Sequence, residues 1–309
     1  MTSEKIPDTS EKAPLKGYLL AGVVVLIWTG FILISRVGGI SQLTSWDVIA
    51  VRYATAAAVL LPIWWFKRRT PLFTQRRMVL AMLGGLVYAV LAFAAFKITS
   101  AAHAAILLPG LQPFTVTVIA WCLLRETPNP NRVVGLCIVG LGVACLVMDA
   151  FQSGASVFYG DLLMVAASIC WSSYSVLLRR WSVAPWDATI AVTLLTACAY
   201  LPVYLLALPK HLMAASWSDI LVQAVYQGIV ATIIQMVLYV RTIELIGPTR
   251  LGLLMALIPG LAGLAAVPLL HEALSLWTFS GLLLVGLGAW IGNRLAVSTS
   301  KENHALRKY

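Results

Sequence analysis

Long runs of apolar residues, separated by short polar segments, recur along the whole chain. A helix needs about 20 mostly apolar residues to cross the hydrocarbon core of a bilayer, because every backbone N–H and C=O must be paired within the segment. Ten runs meet this requirement: residues 17–36, 47–66, 78–97, 101–124, 132–149, 160–179, 187–209, 219–241, 249–270 and 275–294. The pattern predicts an all-α membrane protein with ten transmembrane helices.

The polar segments account for the rest of the chain. Residues 1–16 and 295–309 are predicted as polar tails, and most connections are about 5–10 residues long, too short for a soluble domain. The first run follows a tail of mixed charge and ends without a small-x-small cleavage pattern. We therefore expect a retained helix rather than a signal peptide, and one bundle between two tails.

Composition narrows the class of protein. Of the 309 residues, 60% are hydrophobic and 11% charged, whereas a soluble domain has about 25% charged residues. Such a chain cannot surround one core with a water-compatible surface, which excludes a water-soluble enzyme. All five cysteines fall within predicted helices, where we interpret them as small apolar side chains rather than disulfides or metal ligands. No metal site and no cofactor is predicted.

The distribution of basic residues predicts an orientation. With both termini cytoplasmic, 18 of the 22 Lys and Arg residues lie on the cytoplasmic side, three on the opposite side and Arg52 within a helix. This asymmetry follows the positive-inside rule and predicts a multi-pass protein of the cell membrane. It also explains the net charge of +10 without a nucleic-acid partner. The basic segment 67–77 either sets this orientation or binds anionic lipid headgroups.

The second part of the chain repeats the first. Shifting the chain by 146 residues aligns 101–143 with 247–289 without a gap, and 14 of the 43 positions are identical. Pro113 aligns with Pro259 and Glu126 with Glu272. Shifts of 143 and 140 add further pairs: Gly17 with Gly160, Trp28 with Trp171, Arg36 with Arg179, and Trp46-Asp47 with Trp186-Asp187.

The repeat has a consequence for the architecture. Residues 17–149 and 160–294 each hold five predicted helices, and an odd number of helices puts the two repeats in opposite orientations in the membrane. Inverted repeats are common in secondary transporters, because two similar halves packed about an in-plane axis have two related states. We therefore predict a transporter built from two inverted five-helix repeats.

These residues resemble a known family. The five-helix unit with Trp in its first helix, Arg in its second, Pro within its fourth, Glu at the end of the fourth and a Gly-rich fifth resembles the EamA-type drug/metabolite transporters over residues 17–294. The resemblance implies export of amino acids, other metabolites or toxic compounds, and one branch exports aromatic amino acids. It also implies a central cavity lined mainly by the first, third, fourth, sixth, eighth and ninth helices.

The chain departs from the family pattern in two respects. Arg52 has no basic counterpart in the second repeat, where a shift of 140 gives Val192. Arg125-Glu126 and His271-Glu272 stand where the family more usually has Gly-Glu. We interpret Glu126 and Glu272 as capping or loop-fixing residues rather than substrate contacts.

Prolines and a glycine mark candidate hinges. Pro109 and Pro113 lie in the fourth helix, and Pro259 and Gly260 lie in the ninth. Proline removes a backbone hydrogen bond and kinks a helix. The four residues therefore form a pair of symmetry-related hinges that flank the substrate site, or static kinks that improve packing.

Aromatic and polar residues within the predicted spans indicate a cavity. Trp28 and Trp171 each lie about eleven residues into a helix, near the midplane rather than in the interfacial aromatic belts. Aromatic rings with a few hydrogen-bonding groups suit a small amphipathic solute, although each group alone also suits interhelical packing. The candidate substrate-binding residues are Trp28, Arg52, Tyr88, His103, Gln112, Trp171, Tyr174, Gln235 and Tyr239.

Two of these candidates carry ionisable groups. An arginine at a helix centre costs about 2.5–3.5 kcal/mol on insertion scales, so Arg52 should face protein or water, with a substrate carboxylate or Asp47 as its partner. His103 is either a hydrogen-bonded packing residue, which we favour, or a proton relay. No Asp or Glu lies deep in a predicted helix, which disfavours ion coupling through an embedded acid.

Together these observations predict a secondary transporter, not an enzyme. It exports small organic metabolites, aromatic or hydrophobic amino acids first, by facilitated or exchange transport with alternating access around a midplane cavity. The alternative is proton-coupled efflux of drugs or organic cations. The expected partners are a small-molecule substrate and membrane lipids. Gly288 and Gly292 form a GxxxG pattern that packs inside one monomer or in a weak homodimer.

Overall fold

Ten helical spans build the protein. The structure is a computed structural model that describes residues 15–68, 70–128 and 130–306. The spans are α1 (Leu15–Ile40), α2 (Ser45–Phe66), α3 (Gln75–Ile98), α4 (Ala101–Leu124), α5 (Arg132–Ser153), α6 (Ala155–Arg180), α7 (Pro185–Ala207), α8 (Trp217–Pro248), α9 (Arg250–Leu270) and α10 (Leu276–Leu306). Within these ranges, nine spans are long and apolar enough to cross a membrane, and α10 adds the shorter apolar stretch Leu276–Gly292. The prediction of an all-α membrane protein is confirmed.

The helix boundaries differ from prediction at several places; α8, for example, ends at Pro248 instead of 241. Residues 150–159 were expected to connect two spans, but α5 and α6 are separated only by Gly154, which adopts a φ of 108° that other residues rarely tolerate. The helix that begins at Leu276 continues to Leu306 instead of ending at 294. Residues 1–14 and 307–309 of the two predicted tails lie outside the described residues.

The helices alternate in direction, so their connections gather at two ends of the bundle. We call the end with Leu15 and residues 70–74, 125–128 and 181–184 the terminal end, because the chain enters the bundle there. The other end, with residues 41–44, 99–100, 208–216 and 271–275, is the distal end.

Side-chain caps start several helices at the distal end. Thr44 and Asp47 form a capping box, in which the Thr44 side chain accepts from the Asp47 N–H and the Asp47 carboxylate accepts from the Thr44 N–H. Ser100 caps α4 by accepting from the His103 N–H, and Ser216 caps α8 by accepting from the Asp219 N–H. A cap satisfies backbone donors that a helix leaves unpaired at its first turn, and it fixes where each span begins.

Helices α4 and α9 are interrupted at equivalent positions. The α4 backbone leaves regular helix at Leu111 (φ −79°, ψ −15°), and α9 does so at Leu257 (φ −77°, ψ −19°). Pro113 and Pro259 lie two residues later, in the first turn of the segment that follows each break. Proline suits that first turn because its missing N–H would be unpaired there anyway.

The same two helices end alike. Arg125 closes α4 and His271 closes α9, both in the left-handed conformation with φ of 57° and 56°. Glycine adopts this conformation without strain, whereas a side chain brings Cβ close to the following carbonyl. The departure from the Gly-Glu pattern therefore leaves the turn in place and adds backbone strain to it.

Glycines allow α5 and α10 to approach closely within the chain. A Cβ atom on Gly135 would lie 2.6 Å from the carbonyl oxygen of Gly288, and one on Gly142 would lie 3.0 Å from that of Gly281. Small residues let two backbones pack together in a membrane, where side-chain hydrophobicity gives no net drive for association. The GxxxG pattern thus packs inside the monomer.

Among the described residues, two equivalent Arg–Glu ion pairs connect the repeats, one at each end of the bundle. Arg36 in the first repeat binds Glu272 in the second at 2.6 Å, and Arg179 in the second binds Glu126 in the first at 2.8 Å. The repeat makes the two arginines equivalent and the two glutamates equivalent, so a two-fold relationship exchanges the pairs. The distal pair is largely buried, with side chains 16% and 14% exposed, whereas the terminal pair is 57% and 53% exposed.

Candidate functional site

A small cavity of about 30 Å³ lies among five helices near the middle of the bundle. Helices α1, α2, α3, α6 and α8 contribute its walls. The lining residues are Ile27, Trp28, Phe31, Arg52, Tyr88, Trp171, Ala231 and Gln235. The cavity is thus mostly aromatic, with one guanidinium and one amide among its polar groups.

The aromatic walls form one connected cluster. The rings of Trp28 and Trp171 pack edge to face with centroids 6.0 Å apart, and Tyr88 lies 5.0 Å from Trp171. Phe31 extends the cluster on the α1 side, 5.9 Å from Trp28, and Tyr174 extends it on the α6 side, 5.2 Å from Trp171. Edge-to-face packing fixes the orientation of the Trp28 and Trp171 rings relative to each other.

Arg52 is held in place by an amide and by aromatic rings. Its Nη1 donates to Gln227 Oε1 at 2.9 Å, and the Gln227 amide in turn donates to Ser35 Oγ at 2.9 Å. Its guanidinium carbon lies 5.6 Å from the centre of the Phe31 ring, within cation–π range. The expected alternative of a pair with Asp47 is wrong, because that carboxylate binds Tyr204 and the Thr44 cap.

Two buried donors of the cavity lack a partner. Arg52 Nε and Trp28 Nε1 are shielded from solvent and make no hydrogen bond. A buried donor without an acceptor costs about 1–3 kcal/mol, and more when it is charged, so native proteins rarely keep one without a use. Both atoms belong to residues that line the cavity, which therefore offers a cationic and a neutral donor to an acceptor group of a ligand.

The sequence predictions divide into three groups. Five of the nine predicted substrate-binding residues line the cavity: Trp28, Arg52, Tyr88, Trp171 and Gln235. Tyr174 lies behind Trp171, in contact with its ring. The other three lie elsewhere: Gln112 is half-buried at the break in α4, Tyr239 packs against the cluster of Ala21 and Val24, and His103 lies near the distal end.

The cavity walls also differ from those that the family resemblance implied. Helices α4 and α9 were expected to line the cavity, yet none of its lining residues belongs to them, and α2 contributes Arg52 instead.

His103 is a buried, hydrogen-bonded residue. Its ring is 3% exposed and binds two carboxylates, Asp161 through Nδ1 at 2.8 Å and Asp149 through Nε2 at 2.9 Å. Both acids lie near helix ends, as expected, but the fold buries them, with 8% and 7% of their surface exposed. Position along a helix therefore did not predict burial.

The candidate hinge residues occupy the breaks and their surroundings. Pro109 lies in a π-helical turn formed by Ile106–Gly110, directly before the break in α4, and Pro113 follows it. Pro259 and Gly260 follow the break in α9, and a Cβ atom on Gly260 would meet nothing within 4 Å. π-helical turns are frequent at functional sites of helical proteins.

Some residues of the site were absent from the predicted set. Phe31 and Ser35 follow Trp28 by three and seven residues, the spacing that places side chains on one helix face. That spacing is the sequence feature from which both residues could have been predicted to share a helix face with Trp28. Ala231 has no chemical signature, and Gln227 was one of several glutamines within predicted spans.

Comparisons with known proteins show the family. The sequence pattern described as "EamA-like transporter family" matches residues 15–148 and again residues 158–294. An uncharacterized transporter of Archaeoglobus fulgidus is 29% identical over 170 residues, which are 52% of this chain and 57% of that protein. The uncharacterized transporter YyaM of Bacillus subtilis is 28% identical over 140 residues, 43% of this chain and 46% of that protein. The chain thus spans about half the length of the curated relatives it matches.

A solved structure shares the fold. It is a crystal structure with a TM-score of 0.62 and 21% sequence identity, and the match covers 91% of this chain and 98% of the other. At this identity the likeness concerns the arrangement of the helices alone.

Proposed function

Because the chain belongs to the EamA-like transporter family, we propose that it is a secondary transporter that exports small amphipathic organic metabolites, aromatic and hydrophobic amino acids first. It is a multi-pass protein of the cell membrane. The proposed activity is movement of the solute without chemical change, so the chain is not an enzyme. The observation that carries the proposal is the pair of unpaired donors, Arg52 Nε and Trp28 Nε1, beside an aromatic cavity.

A carboxylate fits these donors. It offers two oxygens with about four acceptor positions, and hydrogen bonds from a charged donor to a carboxylate are roughly twice as strong as neutral ones. Arg52 already uses Nη1 for Gln227 and keeps Nε for another acceptor. A bound carboxylate would satisfy the guanidinium and the indole together.

The remaining surface of the cavity suits an apolar or aromatic side chain. The rings of Trp28, Phe31, Tyr88 and Trp171 form its walls, and ring pairs gain about 0.5–1.5 kcal/mol beyond the area that they bury. The cavity has only about 30 Å³ of open space, well below the usual volume of a small-molecule site, so the aromatic walls must move apart to admit a ligand of amino-acid size. The ring faces and the Gln235 amide are available to an ammonium group.

The absence of an acid from the cavity bears on the driving force. None of the residues that line the cavity is Asp or Glu, so a substrate cation has no counter-charge there and no carboxylate in the cavity can exchange a proton for substrate. This supports facilitated or exchange transport of a zwitterion or anion rather than proton-coupled efflux of a cation. The two repeats and the two interrupted helices supply the related states that alternating access requires.

Counterflow in proteoliposomes tests the proposal. We expect labelled phenylalanine to enter vesicles loaded with phenylalanine or tryptophan, and we expect phenethylamine, which lacks only the carboxylate, to be a poor competitor. The panel includes an organic dication, and each assay is run with and without a pH gradient. Transport of the dication alone, or equal transport of phenethylamine and phenylalanine, would contradict the proposal and favour cation efflux.

Variants connect the activity to the cavity. Arg52→Gln should lower kcat/KM for phenylalanine by about tenfold to a hundredfold, because a hydrogen bond to a charged group contributes about 1.5–3 kcal/mol. Trp28→Phe removes the indole N–H and keeps an aromatic ring, with an expected loss of about threefold to tenfold. Arg241→Gln is the matched control, because Arg241 is exposed and pairs only with Glu244 in the contacts described.

A further inference from the structure

The buried contacts of His103 form a second polar site, outside the cavity. We call His103, Asp149 and Asp161 the His103 cluster. Both ring nitrogens are within hydrogen-bond distance of a carboxylate oxygen, at 2.8 and 2.9 Å. The two carboxylates bind opposite edges of the ring, and the described part of the chain holds no group of acids, histidines and cysteines that could bind a metal ion.

Counting protons shows what the cluster holds. Each contact between a ring nitrogen and a carboxylate oxygen needs one hydrogen between the two atoms, so the two contacts need two. A neutral imidazole has one N–H, and ionised carboxylates have none. These distances therefore require one more proton than neutral His103 with two ionised acids supplies, either on the ring as imidazolium or on one carboxyl group.

The hydroxyl groups around the cluster do not remove this need. Thr99 Oγ1 donates to Asp161 Oδ1 at 2.7 Å, and Ser275 Oγ donates to Asp149 Oδ1. Both donors bind the outer oxygens of the acids. Ser153 Oγ donates to the ring-facing Oδ2 of Asp149 at 3.4 Å, but this contact places no hydrogen between that oxygen and Nε2. Thr278 Oγ1 lies 3.2 Å from Nε2, on the same nitrogen as Asp149.

We propose that the His103 cluster is a proton-binding site, and that the bound proton holds the distal end of the transporter closed. The cluster connects the two repeats, because His103 and Asp149 belong to the first while Asp161, Ser275 and Thr278 belong to the second. Loss of the proton would leave two carboxylates with a single N–H between them, buried and with a net charge of −2. Repulsion and desolvation then favour separation of the repeats at this end.

The site acts at one end only. The repeat places Thr249 opposite His103 and Tyr18 opposite Asp161, and neither is a histidine or an acid. A proton therefore stabilises closure of the distal end without an equal effect at the terminal end. A ligand shifts an equilibrium only through its differential affinity for the two states. Because of this asymmetry, the bound proton favours the state in which the distal end is closed.

The neighbouring charges do not supply the proton or replace it. On the α1 and α9 side, Arg36 and Glu272 pair with each other at 2.6 Å, and Glu272 Oε2 accepts from the Ala101 N–H at the start of α4. On the α3 side, Lys97 Nζ donates to the Ser41 carbonyl. The charges that face the imidazole itself are Asp149 from α5 and Asp161 from α6, and α10 contributes hydroxyls.

Distance measurements across the distal end test the inference. Ile40 and Leu276 are exposed, belong to different repeats and follow Arg36 and Glu272 by four residues each. Spin labels on cysteines at these positions, in the full chain with the native cysteines replaced and reconstituted in vesicles, report separation of the repeats. We expect one short distance at acid pH and a longer one at alkaline pH, with a ratio that changes at most about tenfold per pH unit for one proton.

Two substitutions separate proton binding from simple packing. His103→Gln should make the distance distribution independent of pH. Glu272→Gln breaks the adjacent ion pair, should favour the longer distance at every pH, and should keep the pH dependence. A wild-type distance distribution that does not change between acid and alkaline pH would overturn the inference. A pH dependence retained in His103→Gln would also overturn it. If that variant does not fold, the titration of the wild type decides.

The inference rests on the proposed alternating access but not on the substrate class. Counterflow measured on the same vesicles distinguishes the two failures. Distances that respond to pH without phenylalanine counterflow support the proton site and overturn the proposed substrate. Phenylalanine counterflow with distances that ignore pH supports the substrate and overturns the proton site.

Discussion

Trp28 and Trp171 contact each other edge to face, 6.0 Å between ring centroids, although they occupy equivalent positions in two different repeats. Two equivalent residues can touch only near the two-fold axis that relates the repeats. The axis therefore passes close to these two indoles, and the cavity beside them lies where the repeats meet. In the proposed mechanism, related movements of the two repeats open this cavity to either side of the membrane.

Straightening the interrupted helices should slow transport without weakening binding. Pro113→Ala and Pro259→Ala each restore a backbone N–H directly after a break, which favours continuous helix at the candidate hinge. We expect a fall in the exchange rate of about tenfold, equivalent to about 1.4 kcal/mol on the barrier, with an unchanged KM. Rates from counterflow at saturating substrate provide the measurement.

The control for the hinge is Pro202→Ala. Pro202 lies within α7, a span without a break among its described residues, so its replacement should leave the rate within about twofold. If Pro113→Ala and Pro259→Ala transport as fast as the wild type, the breaks are static kinks.

The two cross-repeat ion pairs should contribute unequally to stability. Glu272 is largely buried, binds Arg36 and also accepts from the Ala101 N–H at the start of α4. Glu272→Gln should cost about 1–3 kcal/mol, because the largely buried Arg36 loses its counter-charge and keeps the Phe96 carbonyl as an acceptor. Glu126→Gln breaks an exposed pair and should cost at most about 1 kcal/mol. Thermal unfolding in detergent compares them, and equal losses would contradict the burial argument.

Replacing the strained residues that end α4 and α9 with glycine should stabilise the protein. Arg125 and His271 have φ of 57° and 56°, a conformation that costs a side-chain-bearing residue about 1–2 kcal/mol. Arg125→Gly and His271→Gly should each raise the unfolding temperature. Arg125→Ala and His271→Ala keep Cβ and should give no gain, so a similar rise in the alanine variants would show that strain is not the cause.

Two glycines of α5 should respond differently to alanine. A Cβ atom on Gly135 would lie 2.6 Å from the Gly288 carbonyl oxygen, whereas one on Gly140 would meet nothing within 4 Å. Gly135→Ala forces α5 and α10 apart and should cost about 1–3 kcal/mol, the usual range for overpacking. Gly140→Ala is the matched control and should be neutral or slightly stabilising. The midpoint of unfolding in a denaturing detergent gives the comparison.

The orientation predicted from the basic residues is tested by labelling. Thr70 lies at the terminal end and Ile40 at the distal end. In a chain whose five cysteines are replaced by alanine, an impermeant maleimide applied to intact cells should label Ile40→Cys and spare Thr70→Cys until the membrane is opened. The reverse pattern would contradict cytoplasmic termini.

Hydropathy and the internal repeat together determine much of this architecture. The ten spans follow from the sequence because hydrocarbon tolerates no unpaired backbone, so the length of each apolar run sets the element. The repeat identifies equivalent residues, and Trp28 with Trp171 and Glu126 with Glu272 occupy corresponding places in the fold. The missing N–H of proline likewise indicates a break near Pro113 and near Pro259, and each helix is interrupted two residues before its proline.

Only the tertiary structure shows which side chains contact one another. His103 precedes Asp149 by 46 residues and Asp161 by 58. Hydropathy shows neither how a helix is rotated about its axis nor which helices lie beside it. For the same reason the sequence named Arg52 but not Gln227 as its partner. A helix end is polar in sequence whether it faces water or packs against another helix. Which acids are buried, and which donors are left for a ligand, is therefore decided only when the helices pack.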